Sequence, residues 1–230
     1  MYLNNSDYGY ETTWWQQNKA WGGGGGSSLI YPIPYYQVGV FSPYSLGSSV
    51  FRNVPDVSLD ANPSTGYQIY VAKYWYIIGG TSCVAPLWAG FTAIVNEYRS
   101  SLGKNPIGFI NPAIYSIGMG PDYSSVFHDI TIGTNGHYPA VPGYDLATGW
   151  GSFIGDNLLY KLGGCPLGQA YFQGSCVNSF DVPTTHPTFA TSNPTLSPTI
   201  LGCQADSTLN QHDCKQKIQT CAQYGVKMKW

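Results

Sequence analysis

The hydrophobic pattern changes period along the chain, and each change marks an element. Tyr67-Gln68-Ile69-Tyr70-Val71 and Tyr74-Trp75-Tyr76-Ile77-Ile78 are runs of aromatic and β-branched residues. Separated only by Ala72-Lys73, they predict a β-hairpin. The period then lengthens. Leu87, Phe91, Ile94, Val95 and Tyr98 recur at helical spacing and predict the longest helix over 82–102, closed by Gly103. Pro86 is placed in its first turn, where a missing N–H does least harm. A shorter helix is predicted after Asn111-Pro112, and a third over about 156–162. Residues 1–50 predict irregular structure with short strands, including an extended segment around Pro32 and Pro34.

Beyond Gly163-Gly164 the periodicity is lost. Cys165 and Cys176 bracket what reads as a small disulfide loop, over 164–180. Residues 181–201 are mostly Pro, Thr, Ser and small residues, as in a flexible or O-glycosylated spacer. Residues 202–230 form a Cys-containing tail with a short polar helix. A domain boundary near Gly164 therefore separates a main unit, 1–163, from these three segments.

Composition narrows the function classes. With 43% hydrophobic and 15% aromatic residues, a sizeable core is within reach up to about residue 162. Only 10% of residues are charged, against about 25% in ordinary soluble domains. A net charge of -2 without a basic cluster argues against a nucleic-acid partner. No apolar run is long enough to predict a membrane span. Residues 1–6 lack the basic and apolar regions of a signal peptide, and Asn4-Asn5-Ser6 is a glycosylation sequon. Cys83 stands alone, while Cys165, Cys176, Cys203, Cys214 and Cys221 crowd the last third. That clustering suits disulfides and an oxidising compartment, with an odd thiol left over.

The chemistry concentrates at Gly79-Gly80-Thr81-Ser82, where the predicted hairpin hands over to the predicted helix. Small residues leave the Ser82 hydroxyl uncrowded, and the helix aims its free N–H groups and positive end at the same corner. Ser82 reads either as a helix N-cap or as a nucleophile with oxyanion stabilisation close by. A nucleophile needs a base. The four histidines, His128, His137, His186 and His212, all follow Ser82 and sit in no triad-like motif. A carboxylate base working at acidic pH would need a Glu and a second acid on one helix face. The chain has two glutamates, Glu11 and Glu97, and Trp15 and Ser101 stand four positions on. A base for Ser82 is not recognisable.

Two further stretches leave alternatives open. The five glycines Gly22 to Gly26 read from composition as a linker, or else as backbone that a ligand approaches closely. Asp129 and Asp145 close a Gly- and Pro-rich loop whose carbonyls could join them around a calcium ion. The same pattern fits an Asx-turn loop without metal.

Taken together, these stretches resemble the sedolisins, the serine-carboxyl peptidases that include tripeptidyl peptidases and kumamolisin-like enzymes. The matching segments are Gly22 to Ser27 leading into Pro32-Ile33-Pro34, Val54-Pro55-Asp56-Val57-Ser58, Thr65-Gly66-Tyr67, Gly79 to Gly90, Gly108-Phe109-Ile110-Asn111-Pro112, Phe127-His128-Asp129-Ile130-Thr131 and Pro142 to Gly151. The resemblance implies an α/β, subtilisin-like fold with a parallel sheet, a Ser-Glu-Asp triad, an oxyanion-hole aspartate and one Ca2+. It makes Ser82 the nucleophile and places Gly23, Gly24, Gly25 and Thr81 beside substrate, reversing the linker reading. Asp129 and Asp145 would bind calcium through side chains, and Ile130, Val141 and Gly143 through carbonyls. Val141 stands where the family usually has Gly, and Cys83 where it usually has Ala. The family's Glu, Asp and oxyanion aspartate lie upstream of the segment that matches residue 1, and Asp7 takes none of these roles.

The resemblance thus casts the chain as the C-terminal part of a peptidase domain, N-terminally truncated, with the rest of that domain as its partner. It implies a peptide or protein substrate, a signal peptide and pro-domain in the parent, an extracellular or lysosomal/vacuolar location, and little hydrolysis by the chain alone. The competing expectation is a non-catalytic secreted scaffold whose Cys-rich tail binds a partner or glycan.

Overall fold

The computed structural model describes residues 2–4, 7–41 and 44–179, which belong to one unit, Met1–Pro183. The predicted spacer and Cys-containing tail lie outside the described residues. Strands β1 (Tyr2–Asn4) and β2 (Asp7–Tyr10) pair, as do β3 (Trp15–Gln16) and β4 (Trp21–Gly22), then β5 (Gly26–Pro32) and β6 (Phe51–Val54). The hairpin β7 (Tyr67–Val71) and β8 (Tyr74–Ile78) precedes helices α1 (Thr81–Ser101), α2 (Asn111–Gly118) and α3 (Tyr123–Val126). Strand β9 (Phe127–His128) pairs with β10 (Ser152–Phe153), followed by helix α4 (Gly155–Gly163) and the hairpin β11 (Gln169–Phe172) and β12 (Ser175–Asn178).

Every pair among the described residues is two-stranded and antiparallel. The parallel sheet implied by the resemblance is not found there. Parallel pairing needs a long crossover between neighbouring strands, whereas here β7 pairs directly with β8 and the longest strand, β5, has seven residues.

The hairpin falls where the pattern predicts it. Val71 faces Tyr74 across the turn, and Ala72 and Lys73 both take positive φ, 51° and 69°. That is the twist a two-residue connection requires. Helix α1 also falls in place, and Gly103 ends it at φ 69°. Its apolar residues, however, surround the axis. Val95 is buried, and Trp88 and Phe91 pack on Phe153 at 4.7 and 4.4 Å between ring centroids, while Leu87 and Ile94 are exposed. The predicted face therefore splits, because periodicity selects no single side when apolar residues go all round. Pro86 lies in the second turn, not the first. It has no N–H to give the carbonyl four residues back, which belongs to Ser82.

The core lies between α1, α2, α4 and the segment 144–150. Tyr115, Tyr144 and Trp150 are buried with ring centroids 5.6–5.8 Å apart. A polar network anchors its margin. Buried Gln37 donates to the Asn53 carbonyl at 2.8 Å and accepts from the Asn53 amide at 2.9 Å. Asp56 accepts from Arg52 at 2.5 Å, Asn111 at 2.9 Å and the Tyr115 hydroxyl at 2.8 Å. Buried Gln37 and Asn53 and the half-buried Arg52 and Asp56 are tolerable there because they are paired.

The pentaglycine stretch is folded, not a linker. Gly22 pairs with Trp15, and Gly26 opens β5. The cysteine loop is the β11–β12 hairpin closed by a Cys165–Cys176 disulfide, with Cα atoms 5.5 Å apart. It sits against α3 and α4, where the Lys161 ammonium lies 4.6 Å from the Tyr171 ring centre.

Candidate active site and calcium loop

Strand β8 ends at Ile78, and Gly79-Gly80 turn the chain into α1. Gly80 holds the N-cap position at φ 98°, and no side chain caps the helix. The capping alternative for Ser82 therefore fails: it is the second helical residue. Its hydroxyl is exposed and has no hydrogen-bond partner among the described residues. Cys83, beside it, is half-buried and directs its thiol to the Gly79 carbonyl at 3.5 Å.

Two concave spaces meet at this corner. Ser82 opens into a shallow cleft of about 430 Å³, walled by Trp14, Trp21, Ala20, Gly22, Pro63, Gly79, Gly80 and Thr81. A deeper, mostly apolar cavity of about 490 Å³ lies next to it. Thr81 and Trp14 line both. Gly23 and Gly24 line the cavity, while Gly25 packs under the Leu146 carbonyl, where a Cβ would come within 1.7 Å of the oxygen. Of the glycines and threonine assigned beside substrate, three thus share the cavity wall and Gly25 supports it from behind.

The cavity wall also includes two carboxylates, Glu11, which the sequence offered no partner as a base, and Asp60, which it did not single out. Glu11 is buried, accepting from the Ser152 hydroxyl and from Tyr8 at 3.4 Å. Asp60 accepts from the Asn62 amide at 3.1 Å and the Thr65 hydroxyl at 3.0 Å. Burial first, then the Glu11 charge, pushes the Tyr8 hydroxyl up to about 12. Tyr8 stacks on His128 with ring centroids 3.5 Å apart, and burial lowers the His128 pKa, with Glu11 opposing. Neither acid lines the Ser82 cleft. The cavity wall further contains Trp14 Nε1, Trp88 Nε1 and Ser58 Oγ, buried without a hydrogen-bond partner.

The loop from Asp129 to Asp145 borders the same cavity through Ile130, and the turn after it through Ala147 and Thr148. Asp145 is fully buried. One oxygen accepts from the Ala147 amide, the Thr148 amide and the Thr148 hydroxyl at 2.8–3.0 Å, and the other from the Val141 amide at 2.9 Å. Burial still raises its pKa, with the amides pulling the other way. Asp129 accepts from the Gly143 amide at 2.9 Å. The carbonyls of Ile130, Val141 and Gly143 take no part in the main-chain hydrogen bonding. Two carboxylates and three free carbonyls are an all-oxygen donor set, which fits calcium.

No family model matches the sequence. Among curated relatives, kumamolisin of Bacillus sp. (strain MN-32) is 41% identical over 160 residues, covering 66% of this chain and 27% of kumamolisin. Sedolisin of Pseudomonas sp. (strain 101) is 39% identical over 106 residues, 44% of this chain and 17% of sedolisin. Tripeptidyl-peptidase 1 of Dictyostelium discoideum is 32% identical over 131 residues, 53% of this chain and 21% of its own length. The solved structure of Pseudomonas sedolisin with two molecules of pseudo-iodotyrostatin superposes at a TM-score of 0.57 and 31% identity, covering 68% of this chain and 42% of that one. The chain thus spans about a quarter of kumamolisin's length. Over the part that matches, the chain belongs to the sedolisin family of serine-carboxyl peptidases.

Proposed function

We propose that this chain carries the nucleophile and a calcium site of an acid-active peptidase that cleaves peptide or protein substrates. The observation that carries the reading is the exposed, unpartnered Ser82 hydroxyl on the first turn of α1, facing a cleft. In that position the helix N-terminus favours negative charge on a reacting oxygen. Thr81, Gly23 and Gly24 form the neighbouring wall.

The base comes from polypeptide outside these 230 residues. Glu11 is the one buried glutamate of the described residues; it is engaged with Ser152 and does not line the Ser82 cleft. Without a carboxylate to take its proton, Ser82 loses a factor of about 10² or more. Little turnover by the chain alone follows. Ca2+ is held by Asp129 and Asp145 with the Ile130, Val141 and Gly143 carbonyls, and it offsets the charge that Asp145 carries in a buried setting. The Cys165–Cys176 disulfide supports a secretory-route location, extracellular or lysosomal/vacuolar.

Incubation with a peptide substrate at acidic pH tests both halves. The chain alone should give no Ser82-dependent turnover. A chimera bearing the upstream portion of kumamolisin before residue 1 should hydrolyse the peptide and lose that activity with Ser82→Ala. Turnover by the chain alone that disappears in Ser82→Ala would refute the external base. Chimera turnover that survives Ser82→Ala would refute the nucleophile.

A further inference from the structure

We propose that the tip of the β7–β8 hairpin is a membrane-interface anchor, which seats Tyr70, Val71, Tyr74 and Trp75 among the headgroups of an anionic lipid surface. This part of the molecule has no role in the peptidase reading. The pairing register decides which side chains share a face. Tyr70 opposes Trp75 on one face, and Val71 opposes Tyr74 on the other. All four are 53–70% exposed. The tip is therefore apolar on both sides, whereas an antiparallel ribbon with one solvated face alternates apolar and polar. A flat protein partner or a sugar ring covers one face of such a ribbon and leaves the other in water. A lipid interface that surrounds the tip covers both.

The residue types point the same way. Trp and Tyr join an apolar ring to a polar N–H or O–H, a combination that settles at headgroup level. Tyr70 and Trp75 already lie side by side, with ring centroids 5.1 Å apart. Lys73 stands at the turn, exposed and in no ion pair among the described residues, and the hairpin from Tyr67 to Ile78 contains no acid. The tip thus carries one uncompensated positive charge, which complements the negative surface of an anionic bilayer. The dimensions agree. Two strand residues rise about 7 Å, and an interfacial element buries its apolar groups roughly 5–10 Å deep. The ladder runs unbroken from Tyr67 opposite Ile78 to Val71 opposite Tyr74, so the ribbon enters the interface already formed.

Co-sedimentation of the full chain with phosphatidylcholine vesicles, plain or containing roughly a third phosphatidylserine, tests this. The chain should bind the anionic vesicles more tightly than the plain ones. Trp75→Ala should weaken partitioning about tenfold. Lys73→Gln should weaken it about fivefold on the anionic vesicles and leave the plain ones unaffected. Brominated acyl chains should quench part of the tryptophan emission, and Trp75→Phe, which keeps an aromatic ring and with it most of the binding, should lose that part. The quenching readout keeps the test decisive even if Trp75→Ala disturbs the hairpin. No binding to anionic vesicles, equal binding by Trp75→Ala, or quenching that survives in Trp75→Phe would overturn the proposal. An equal loss with Ile30→Ser, at an exposed apolar residue of β5, would overturn it too, as the mark of general stickiness. Self-association that Trp75→Ala abolishes, without vesicle binding, would give the tip to a second copy of the chain instead.

Discussion

Gly24 and Gly25 are chain neighbours under opposite constraints. A Cβ on Gly25 would lie 1.7 Å from the Leu146 carbonyl oxygen, a backbone atom held by its own segment, whereas one on Gly24 would meet nothing within 4 Å. Gly25→Ala should therefore cost about 3 kcal/mol, and Gly24→Ala close to nothing, as read from denaturant unfolding midpoints. Equal effects would mean that the stretch does not pack on Leu146. Composition says only that five glycines are present, since the reason for Gly25 lies far along the chain, at Leu146. The burial of Glu11 in the cavity wall is hidden from the sequence for the same reason. Its burial depends on Ser152, 141 residues away, and no local spacing announces such a contact. Ser82 is legible because its signal is local: two glycines, a hydroxyl and the start of an apolar helix.

At the level of elements, the β7–β8 hairpin follows from its runs of aromatic and β-branched residues, but its turn chemistry does not. Ala72 and Lys73 occupy left-handed backbone that costs an ordinary L-residue about 1–2 kcal/mol. Asparagine followed by glycine suits that backbone, so Ala72→Asn combined with Lys73→Gly should stabilise the hairpin by about 1–2 kcal/mol. Amide exchange within β7 and β8 should slow accordingly, and unchanged exchange would contradict the turn geometry. Helix α1 shows the limit of pattern reading. Its boundaries follow from period and from the flanking glycines, while its buried side does not, because Leu87 and Ile94 are as apolar as Phe91 and Val95.

For the whole molecule, the calcium site proposed between Asp129 and Asp145 carries a stability consequence of its own. If Asp129, Asp145 and the three carbonyls hold the ion, it binds only the folded state. Calcium at about 100 times its dissociation constant should then raise unfolding free energy by about 2.7 kcal/mol. A chelator should remove the gain, and Asp129→Asn should remove most of it. An unfolding transition indifferent to calcium would remove the metal from the reading. A second property of the whole is its uncovered apolar surface: Leu29, Ile30, Tyr31, Tyr74, Trp75 and Ile77 are all exposed. The isolated chain should bind a hydrophobic dye and scatter light increasingly with concentration.

Trp14 lines both the deep cavity and the Ser82 cleft. A ligand in either space therefore comes to lie against the same residue. In a variant whose other six tryptophans are replaced by Phe, the emission of Trp14 should respond to both occupancies, and its shared position is a route by which each could be felt by the other.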